Sequence, residues 1–330
     1  MKAWICDSPT GVDAITWTQR PTPMPKADEL LIRVAAAGLN FPDLLIVQNK
    51  YQFKPEPPFV PGAEFAGVIE VIGEAVSGFY VGQSIACLAG VGGFATHAVV
   101  KAALCMPVPD AMPLTDAAAL IMTYGTGHHA LYDRAQLKAG ETLLVLGAAG
   151  GVGTAAIQLG KALGAHVIAA ASGAQKCALC AQAGADQTID YGALKDPGDI
   201  REAIKSLTAA RGVDVVYDPV GGDWAEPVFR SLAWRGRYLV IGFAAGQIPR
   251  LPLNLALLKG ASVVGVFYGG FAKQEPGANA AMLRDLARLC QQGRIKPVIE
   301  TTLPMSELKQ AYAMLQSRSV MGKLVLHNNA

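Results

Sequence analysis

Two textures of apolar and polar positions divide the chain. Over the first 125 or so residues the apolar runs are short: Glu29–Ala35, Ala66–Ile72, Ser84–Leu88 and Thr96–Val100. Turn signals such as Val81-Gly82-Gln83 and Val91-Gly92-Gly93 separate them, a pattern that predicts an all-β region of short strands. From Glu141 onward, strand-like runs alternate with Ala- and Leu-rich segments of helical period. Thr142–Leu146, His166–Ala171, Gln187–Asp190, Val213–Tyr217 and Tyr238–Ile241 read as strands. Thr154–Leu163, Gln175–Ala183, Ile200–Ala210 and Trp224–Leu232 read as the helices between them. Such alternation requires right-handed β-α-β crossovers and a parallel sheet covered on both faces. Ser262–Phe267 is a further β-rich run, followed by a long helix over Ala280–Gln292, a helix over Ser306–Gln316 and a closing strand over Gly322–Leu326.

Composition narrows the class without changing the architecture. The 330 residues suffice for two domains, and a 52% hydrophobic, 16% charged chain is that of a globular protein rather than a disordered one. Lys and Arg total 28 against 26 Asp and Glu, with no basic run or acidic tail, so neither a nucleic-acid surface nor a polybasic membrane anchor is expected. The N-terminus has no apolar core of signal-peptide length, and no apolar stretch reaches the roughly 18 residues of a membrane span. The six cysteines have no framework spacing and are expected to be reduced. A cytoplasmic protein with no nucleic-acid or membrane partner is the expectation.

The strongest local motif is Leu144-Val145-Leu146-Gly147-Ala148-Ala149-Gly150-Gly151-Val152-Gly153, set between a predicted strand and a predicted helix. Gly150 and Gly153 let backbone approach a pyrophosphate and let the helix pack on the strand, while the helix N-terminus offers amides and partial positive charge. Ala148 stands where the first glycine of G-x-G-x-x-G would be. Ala149, Gly150, Gly151, Val152 and Gly153 are therefore candidate cofactor-binding residues. About 20 residues further on, an acidic side chain would bind the ribose hydroxyls of NAD. Here the second strand runs out into Ala171-Ser172-Gly173-Ala174-Gln175-Lys176, with no acid. Ser172 and Lys176 suit a 2′-phosphate, so NADPH is the expected cofactor. Gly242 and Phe243 end a strand on the side where parallel sheets bind ligands.

At this level the chain resembles the zinc-free quinone oxidoreductases related to zeta-crystallin, in the medium-chain dehydrogenase/reductase superfamily. Ala36-Ala37-Gly38-Leu39-Asn40-Phe41-Pro42-Asp43 is similar to that family's Gly-x-Asn-x-x-Asp segment, and Pro61-Gly62-Ala63-Glu64-Phe65-Ala66-Gly67 to its Pro-Gly-x-Glu-x-x-Gly turn. Ala148–Gly153, Ser172–Lys176, Asp214-Val215-Val216-Tyr217-Asp218 and the closing Gly322-Lys323-Leu324-Val325-Leu326 also match, so the likeness runs end to end. It implies an α/β fold: a GroES-like β-rich substrate domain over 1–124, completed by 266–330, and a Rossmann doubly wound parallel-sheet domain over 125–265.

The resemblance also implies site residues. Asn40 and Asp43 match positions facing the active-site cleft and are candidate catalytic residues, Asn40 to orient substrate or the nicotinamide ribose of the cofactor and Asp43 with a purely structural alternative. Thr123 and Thr126 match contacts of the nicotinamide half of the cofactor. Tyr191 and Arg318 match positions near the adenosine 2′-phosphate; Asn254 is a further cofactor candidate. Tyr51 stands where related enoyl reductases carry a proton-donating tyrosine, and Tyr268 is a second candidate donor with a packing alternative. Zinc alcohol dehydrogenases of the superfamily have Cys at the position of Asn40 and His at that of Ala63, and neither residue here completes a tetrahedral zinc site. Cys177 and Cys180 fall on a predicted helix with no second pair, and the adjacent His128 and His129 diverge by about 100° on a helix. No metal is expected.

The expected activity is hydride transfer from NADPH to a quinone or α,β-unsaturated carbonyl compound. The alternatives are a 2-enoyl thioester reductase, for which Lys50, Lys54 and Lys273 are sparse candidate contacts to CoA phosphates, or a non-catalytic NADPH-binding sensor or structural protein. The run 262–267, apolar and β-branched, is expected at a sheet edge, pairing with its copy in a homodimer as the family does.

Overall fold

The computed structural model describes residues 1–328, which form two compact units: Met1–Met122 with the segment from Ile299 onward, and Thr123–Val298. In chain order the first unit begins with β1 (Lys2–Cys6), β2 (Ile15–Gln19), β3 (Glu29–Leu39), α1 (Phe41–Val47), β4 (Glu64–Ile72), β5 (Ser84–Leu88), β6 (His97–Lys101), β7 (Cys105–Pro107) and α2 (Leu114–Ala117). Helix α3 (Ile121–His128) leads into the second unit and runs on as a short π-helix over His129–Arg134. There follow β8 (Thr142–Val145), α4 (Gly151–Ala162), β9 (His166–Ala171), α5 (Ala174–Gln182), β10 (Gln187–Asp190), α6 (Ile200–Leu207), β11 (Val213–Asp218), α7 (Ala225–Arg230), β12 (Leu232–Val240), α8 (Leu253–Lys259), β13 (Ser262–Gly265), α9 (Tyr268–Gln274) and α10 (Pro276–Gln291). The chain then returns to the first unit with β14 (Ile299–Pro304), α11 (Leu308–Gln316) and β15 (Lys323–His327).

In the first unit, β1 and β2 form a hairpin-like pair, and seven strands form a second sheet of order β14-β15-β3-β4-β5-β7, with β6 also paired to β3. Strand β3 is buried along most of its length, as its place between β15 and β4 requires: Leu30, Ile32 and Val34 lie in the core with Ile69, Ile85 and Phe65. The C-terminal strand β15 runs antiparallel to β3, with Leu324 opposite Leu39 and Leu326 opposite Ala37. This register carries Lys323 up to the end of β3, a placement that matters below.

The second unit is built on a six-stranded sheet of order β10-β9-β8-β11-β12-β13, all neighbours parallel. Numbered along the unit this is 3-2-1-4-5-6, the doubly wound dinucleotide-binding order, whose reversal lies between β8 and β11. The central strands are apolar because both faces are covered: Leu144, Ile168, Ala170 and Val216 are all fully buried.

The structure corrects two expectations. Residues 266–298, expected to complete the first domain, belong to the second compact unit. Side-chain packing explains this. The Tyr268 ring lies against the backbone of Gly125, where a Cβ would come 2.7 Å from its Cζ. His128 also meets Asp285 at 3.0 Å, and the Gln158 amide donates to the Lys296 carbonyl at 3.0 Å. The helix expected over Trp224–Leu232 ends at Arg230, and β12 begins two residues later, with Arg235 in a left-handed conformation within it.

Candidate active site

The second unit presents its glycine turn at the carboxyl end of β8, beside the point where strand order reverses. Gly147 has φ +55°, which an L side chain rarely adopts, and turns the chain out of β8. Gly150 is the N-cap of α4, and a Cβ placed on it would meet only the Gly147 carbonyl oxygen at 3.4 Å, so that face of the turn is open to a ligand. Gly153 is the opposite case: a Cβ there would lie 2.6 Å from Ala148 Cα, from the Ala148 oxygen and from the Gly147 oxygen. Helix and strand approach so closely because Gly153 has no side chain. The first-turn amides of α4, Gly151 and Val152 among them, have no intrahelical carbonyl to bond and suit a phosphate. These residues fit the pyrophosphate of a dinucleotide.

At the ends of β9 and β10 the structure brings Ser172 to Tyr191. Gly173, with φ +94°, N-caps α5, and its amide donates to Asp190 Oδ1 at 2.7 Å, tying the two strand ends together. Tyr191 is in hydrogen-bond contact with the Ser172 hydroxyl, and burial raises its phenol above the ordinary value. Its ring packs on Trp224 with centroids 4.9 Å apart. Lys176 lies in the first turn of α5. The carboxylate of this group, Asp190, is engaged by the Gly173 and Gly192 amides. Gly242 and Phe243 follow β12 at the carboxyl edge, the Gly242 amide reaching the Asp218 oxygen at 3.3 Å.

The first unit holds a buried polar cluster around Asn40. Asn40 caps α1 and is 5% exposed; Glu64 is fully buried and Lys323 is 5% exposed. The Lys323 ammonium donates to Asn40 Oδ1 at 2.6 Å and to the Leu39 carbonyl at 3.0 Å, and lies 3.3 Å from Glu64 Oε2. Asn40 Nδ2 donates to Glu64 Oε2 at 3.0 Å and to the Gly38 carbonyl at 3.2 Å, while Glu64 Oε1 accepts the Met122 amide at 2.8 Å. Both donor positions of the Asn40 amide are thus used inside the protein. Asp43 accepts the Asn40 amide at 2.8 Å and the Ala63 amide at 2.9 Å, joining α1 to the turn before β4. Burial pushes its carboxyl up to about 7, against the pull of those two amides and of Lys323.

This placement has a consequence for pH. The unfolded chain releases the Asp43 proton near pH 4, whereas the folded protein holds it to about pH 7. The native state therefore binds more protons over that interval, and stability falls as pH rises through it. Asp43→Asn is expected to flatten that slope. It should also cost about 1–3 kcal/mol, because an amide nitrogen would face one of two buried N–H donors. Urea unfolding from pH 4 to pH 8 measures both effects; an unchanged slope would place the linkage elsewhere.

The remaining expected residues divide between the units. Tyr51 packs at the margin of the first core, and burial, then the charge of Asp43, raise its phenol above the ordinary value. Thr123 and Thr126 are buried in α3 of the second unit. Arg318 is exposed in the first unit, after α11, with φ +57°. Asn254 is exposed in the first turn of α8. Tyr268 is 4% exposed and donates to Asn279 Oδ1 at 3.2 Å. Lys50, Lys54 and Lys273 are all exposed. His128 stacks on Tyr132 and His129 on Phe271, so the adjacent histidines engage different partners. Among the described residues no group of three or more His, Cys, Asp or Glu is placed to hold a metal ion, and no helix is long and apolar enough to cross a membrane. Sequence reasoning assigned no role to Glu64 or Lys323. The signal was a charge at the first residue of each of two strands, Glu64 opening β4 and Lys323 opening β15.

A parallel sheet of dinucleotide-binding order, carried with a β-rich unit made from both ends of the chain, defines a protein of the medium-chain dehydrogenase/reductase class. Residues 26–110 match the alcohol dehydrogenase GroES-like domain and residues 151–284 the zinc-binding dehydrogenase domain. The chain is 38% identical to quinone oxidoreductase-like protein 2 of Bos taurus, over 92% of this chain and 87% of that protein. It superimposes on the quinone oxidoreductase of Pseudomonas syringae pv. Tomato DC3000 with a TM-score of 0.90 at 29% identity, covering 99% of each chain. For the quinone oxidoreductase of Thermus thermophilus, solved also in complex with NADPH, the TM-score is 0.83 at 30% identity, covering 99% of this chain and 100% of that one. The chain belongs to the quinone oxidoreductase family of the medium-chain dehydrogenase/reductase superfamily.

Proposed function

We propose that this protein is an NADPH-dependent reductase acting on a quinone or an α,β-unsaturated carbonyl compound, without a metal. The observation that carries the reading is the second unit's open glycine turn together with the end of β9, where Ser172 meets Tyr191, Lys176 follows in α5, and the nearby carboxylate of Asp190 is already engaged by the Gly173 and Gly192 amides. The NADPH complex of the Thermus thermophilus relative supports the same cofactor. When bound, NADPH supplies a hydride. The chain's residues hold and orient: the α4 amides of Gly151, Val152 and Gly153 meet the pyrophosphate, and Ser172 and Lys176 meet the 2′-phosphate. Thr123, Thr126, Gly242, Phe243, Asn254 and Arg318 are assigned to the cofactor as well. Tyr51 is the candidate proton donor on the substrate side; with its phenol held above the ordinary value it stays protonated at neutral pH and can donate to an enolate-like oxygen.

The cluster around Asn40 supports metal independence. The Asn40 amide oxygen accepts a hydrogen bond from the buried Lys323 ammonium. That oxygen, the one atom of the Asn40 side chain able to bind a metal ion, is thus engaged by an ammonium, and the amide nitrogen is given to Glu64 and Gly38. An acceptor whose conjugation spreads the incoming charge needs no Lewis acid and is served by hydrogen bonds and alignment.

The testing experiment follows NADPH consumption by absorbance with phenanthrenequinone, benzoquinone, crotonyl-CoA and a simple enone, with and without a chelator. Turnover of a quinone or enone that survives chelation supports the proposal. Preference for crotonyl-CoA moves it to the enoyl thioester alternative, and tight NADPH binding with no turnover moves it to the non-catalytic one. Lys176→Ala is expected to weaken NADPH binding about tenfold, the loss of one charge-assisted contact of about 1.5–3 kcal/mol partly replaced by water, with NADH unaffected. Equal weakening for both cofactors in a titration would remove Lys176 from the 2′-phosphate.

We also assign a two-fold homodimer to the β13 edge. Strand β13 is terminal in its sheet, and Val263 and Phe267 are exposed there, with Leu253 and Leu257 on α8 each 81% exposed. Sedimentation should give the dimer mass at micromolar concentration; a monomer mass would overturn the assignment.

A further inference from the structure

We propose that Cys87 and Cys105 are a built-in cross-strand dithiol that closes reversibly to a disulfide, making the edge of the first unit's sheet a site of oxidative modification. Strands β5 and β7 are antiparallel, with Cys87 directly opposite Cys105. The Val108 amide donates to the Ser84 carbonyl at 3.0 Å, which marks the Ser84–Val108 pair as hydrogen-bonded. Hydrogen-bonded and non-hydrogen-bonded pairs alternate along an antiparallel ladder. Ala86–Met106 is therefore hydrogen-bonded, and Ile85–Pro107 and Cys87–Cys105 are not. Pro107, which has no N–H to give, sits at one of these non-bonded positions, as the alternation requires. Non-hydrogen-bonded partners have Cα atoms about 4.5 Å apart and side chains at their closest, inside the roughly 4.4–6.8 Å range that a disulfide spans.

The two thiols share one face and one neighbourhood. Cys87 is fully buried in the first unit's core, and Cys105 packs against that core while staying partly open to solvent. The Cys87 thiol interacts directly with that of Cys105. The Cys105 sulfur also makes a weak contact to the Lys101 carbonyl at 3.7 Å, which a side-chain rotation gives up at little cost. The edge position of β7 leaves room for that adjustment, since β7 ends its sheet with β5 as its neighbour.

This asymmetry orders the chemistry with a peroxide as oxidant. The solvent-reachable Cys105 sulfur attacks hydrogen peroxide; the O–O bond breaks, one water leaves, and Cys105 becomes a sulfenic acid. The Cys87 sulfur then attacks the Cys105 sulfur, the S–O bond breaks, and the Cys87 proton leaves with the hydroxyl as a second water. Two thiols lose two electrons and two protons, and one peroxide becomes two waters. Burial keeps Cys87 in its thiol form, so the closing step is the slower one. An external dithiol reverses the change by exchange at Cys105, the accessible sulfur. Cys177 and Cys180 lie three apart on α5 and provide an internal comparison without the cross-strand geometry.

The test uses the full-length protein and does not depend on the proposed activity. Reduced protein is treated with graded hydrogen peroxide, blocked with an alkylating reagent, digested without reductant and analysed by mass spectrometry. The expected product is a peptide pair joined through Cys87 and Cys105, two hydrogens lighter than the sum of its parts, and lost on treatment with dithiothreitol. The same pair should be absent in Cys105→Ser and in Cys87→Ala, and Cys105→Ser should leave Cys87 alkylated only after unfolding. The proposal is overturned if both cysteines stay alkylatable at every dose. It is also overturned if Cys105 advances to sulfinic acid while Cys87 stays a free thiol, or if the linked peptides join other cysteines.

Discussion

Gly153→Val is expected to abolish useful cofactor binding while leaving the first unit folded. The physical reason lies in what surrounds the missing side chain: a Cβ at 153 would stand 2.6 Å from three backbone atoms of Gly147 and Ala148, none of which can rotate away. Helix α4 must then back off the turn that follows β8, carrying its first-turn amides with it. Overpacking of this kind costs about 1–3 kcal/mol of stability. The shift should also raise the dissociation constant for NADPH by about two orders of magnitude, equivalent to about 2.8 kcal/mol. Fluorescence titration with NADPH and urea unfolding measure the two effects separately. Gly277→Ala is the control, because nothing lies within 4 Å of a Cβ built there. If Gly153→Val bound NADPH as the parent does, the glycine turn would not be the pyrophosphate site.

Lys323→Met is expected to destabilise the first unit strongly. The ammonium it removes is the partner of Asn40 Oδ1 and of Glu64 Oε2, and Glu64 has no exposure to water. Breaking one side of a buried pair leaves the other charge uncompensated, typically at a cost of about 3–5 kcal/mol. The cost should fall in Lys323→Met combined with Glu64→Gln, because the orphaned charge is gone. The remaining Gln can still accept the Met122 amide that Glu64 Oε1 now holds. A double-mutant cycle by chemical denaturation reads this coupling. A Lys323→Met variant within about 0.5 kcal/mol of the parent, the range of an ordinary surface change, would mean that water or another cation compensates Glu64.

The strength of the cluster bears on the site residues. Asn40 was expected to orient substrate or the nicotinamide ribose, yet its amide nitrogen is committed to Glu64 and Gly38 and its oxygen accepts from Lys323. Its clearest physical role is to transmit the position of Lys323 and Glu64 to the start of α1. Tyr51 packs at the margin of the same core and stays partly exposed.

Much of this protein was legible in the chain itself. The strand–glycine turn–helix unit around Gly147–Gly153 is local: each glycine answers a demand made by residues within a few positions, so the pattern appears in the sequence. The strands β8, β9 and β11 were equally readable, because parallel strands buried on both faces are largely apolar. The absence of an acid after β9 was likewise a local fact. What tertiary structure alone decided were the relations between distant segments. Lys323 meets Asn40 and Glu64 across separations of 283 and 259 residues, a meeting set by the β15–β3 register. Residues 266–298 join the second unit because Tyr268, Asp285 and Lys296 find Gly125, His128 and Gln158, partners well over a hundred residues earlier. Cys87 and Cys105 became a pair only when the ladder alternation between β5 and β7 was known. Local steric demands and burial leave their mark on neighbouring residue types, whereas a strand register is chosen by packing across the sheet, and no short stretch of sequence contains it.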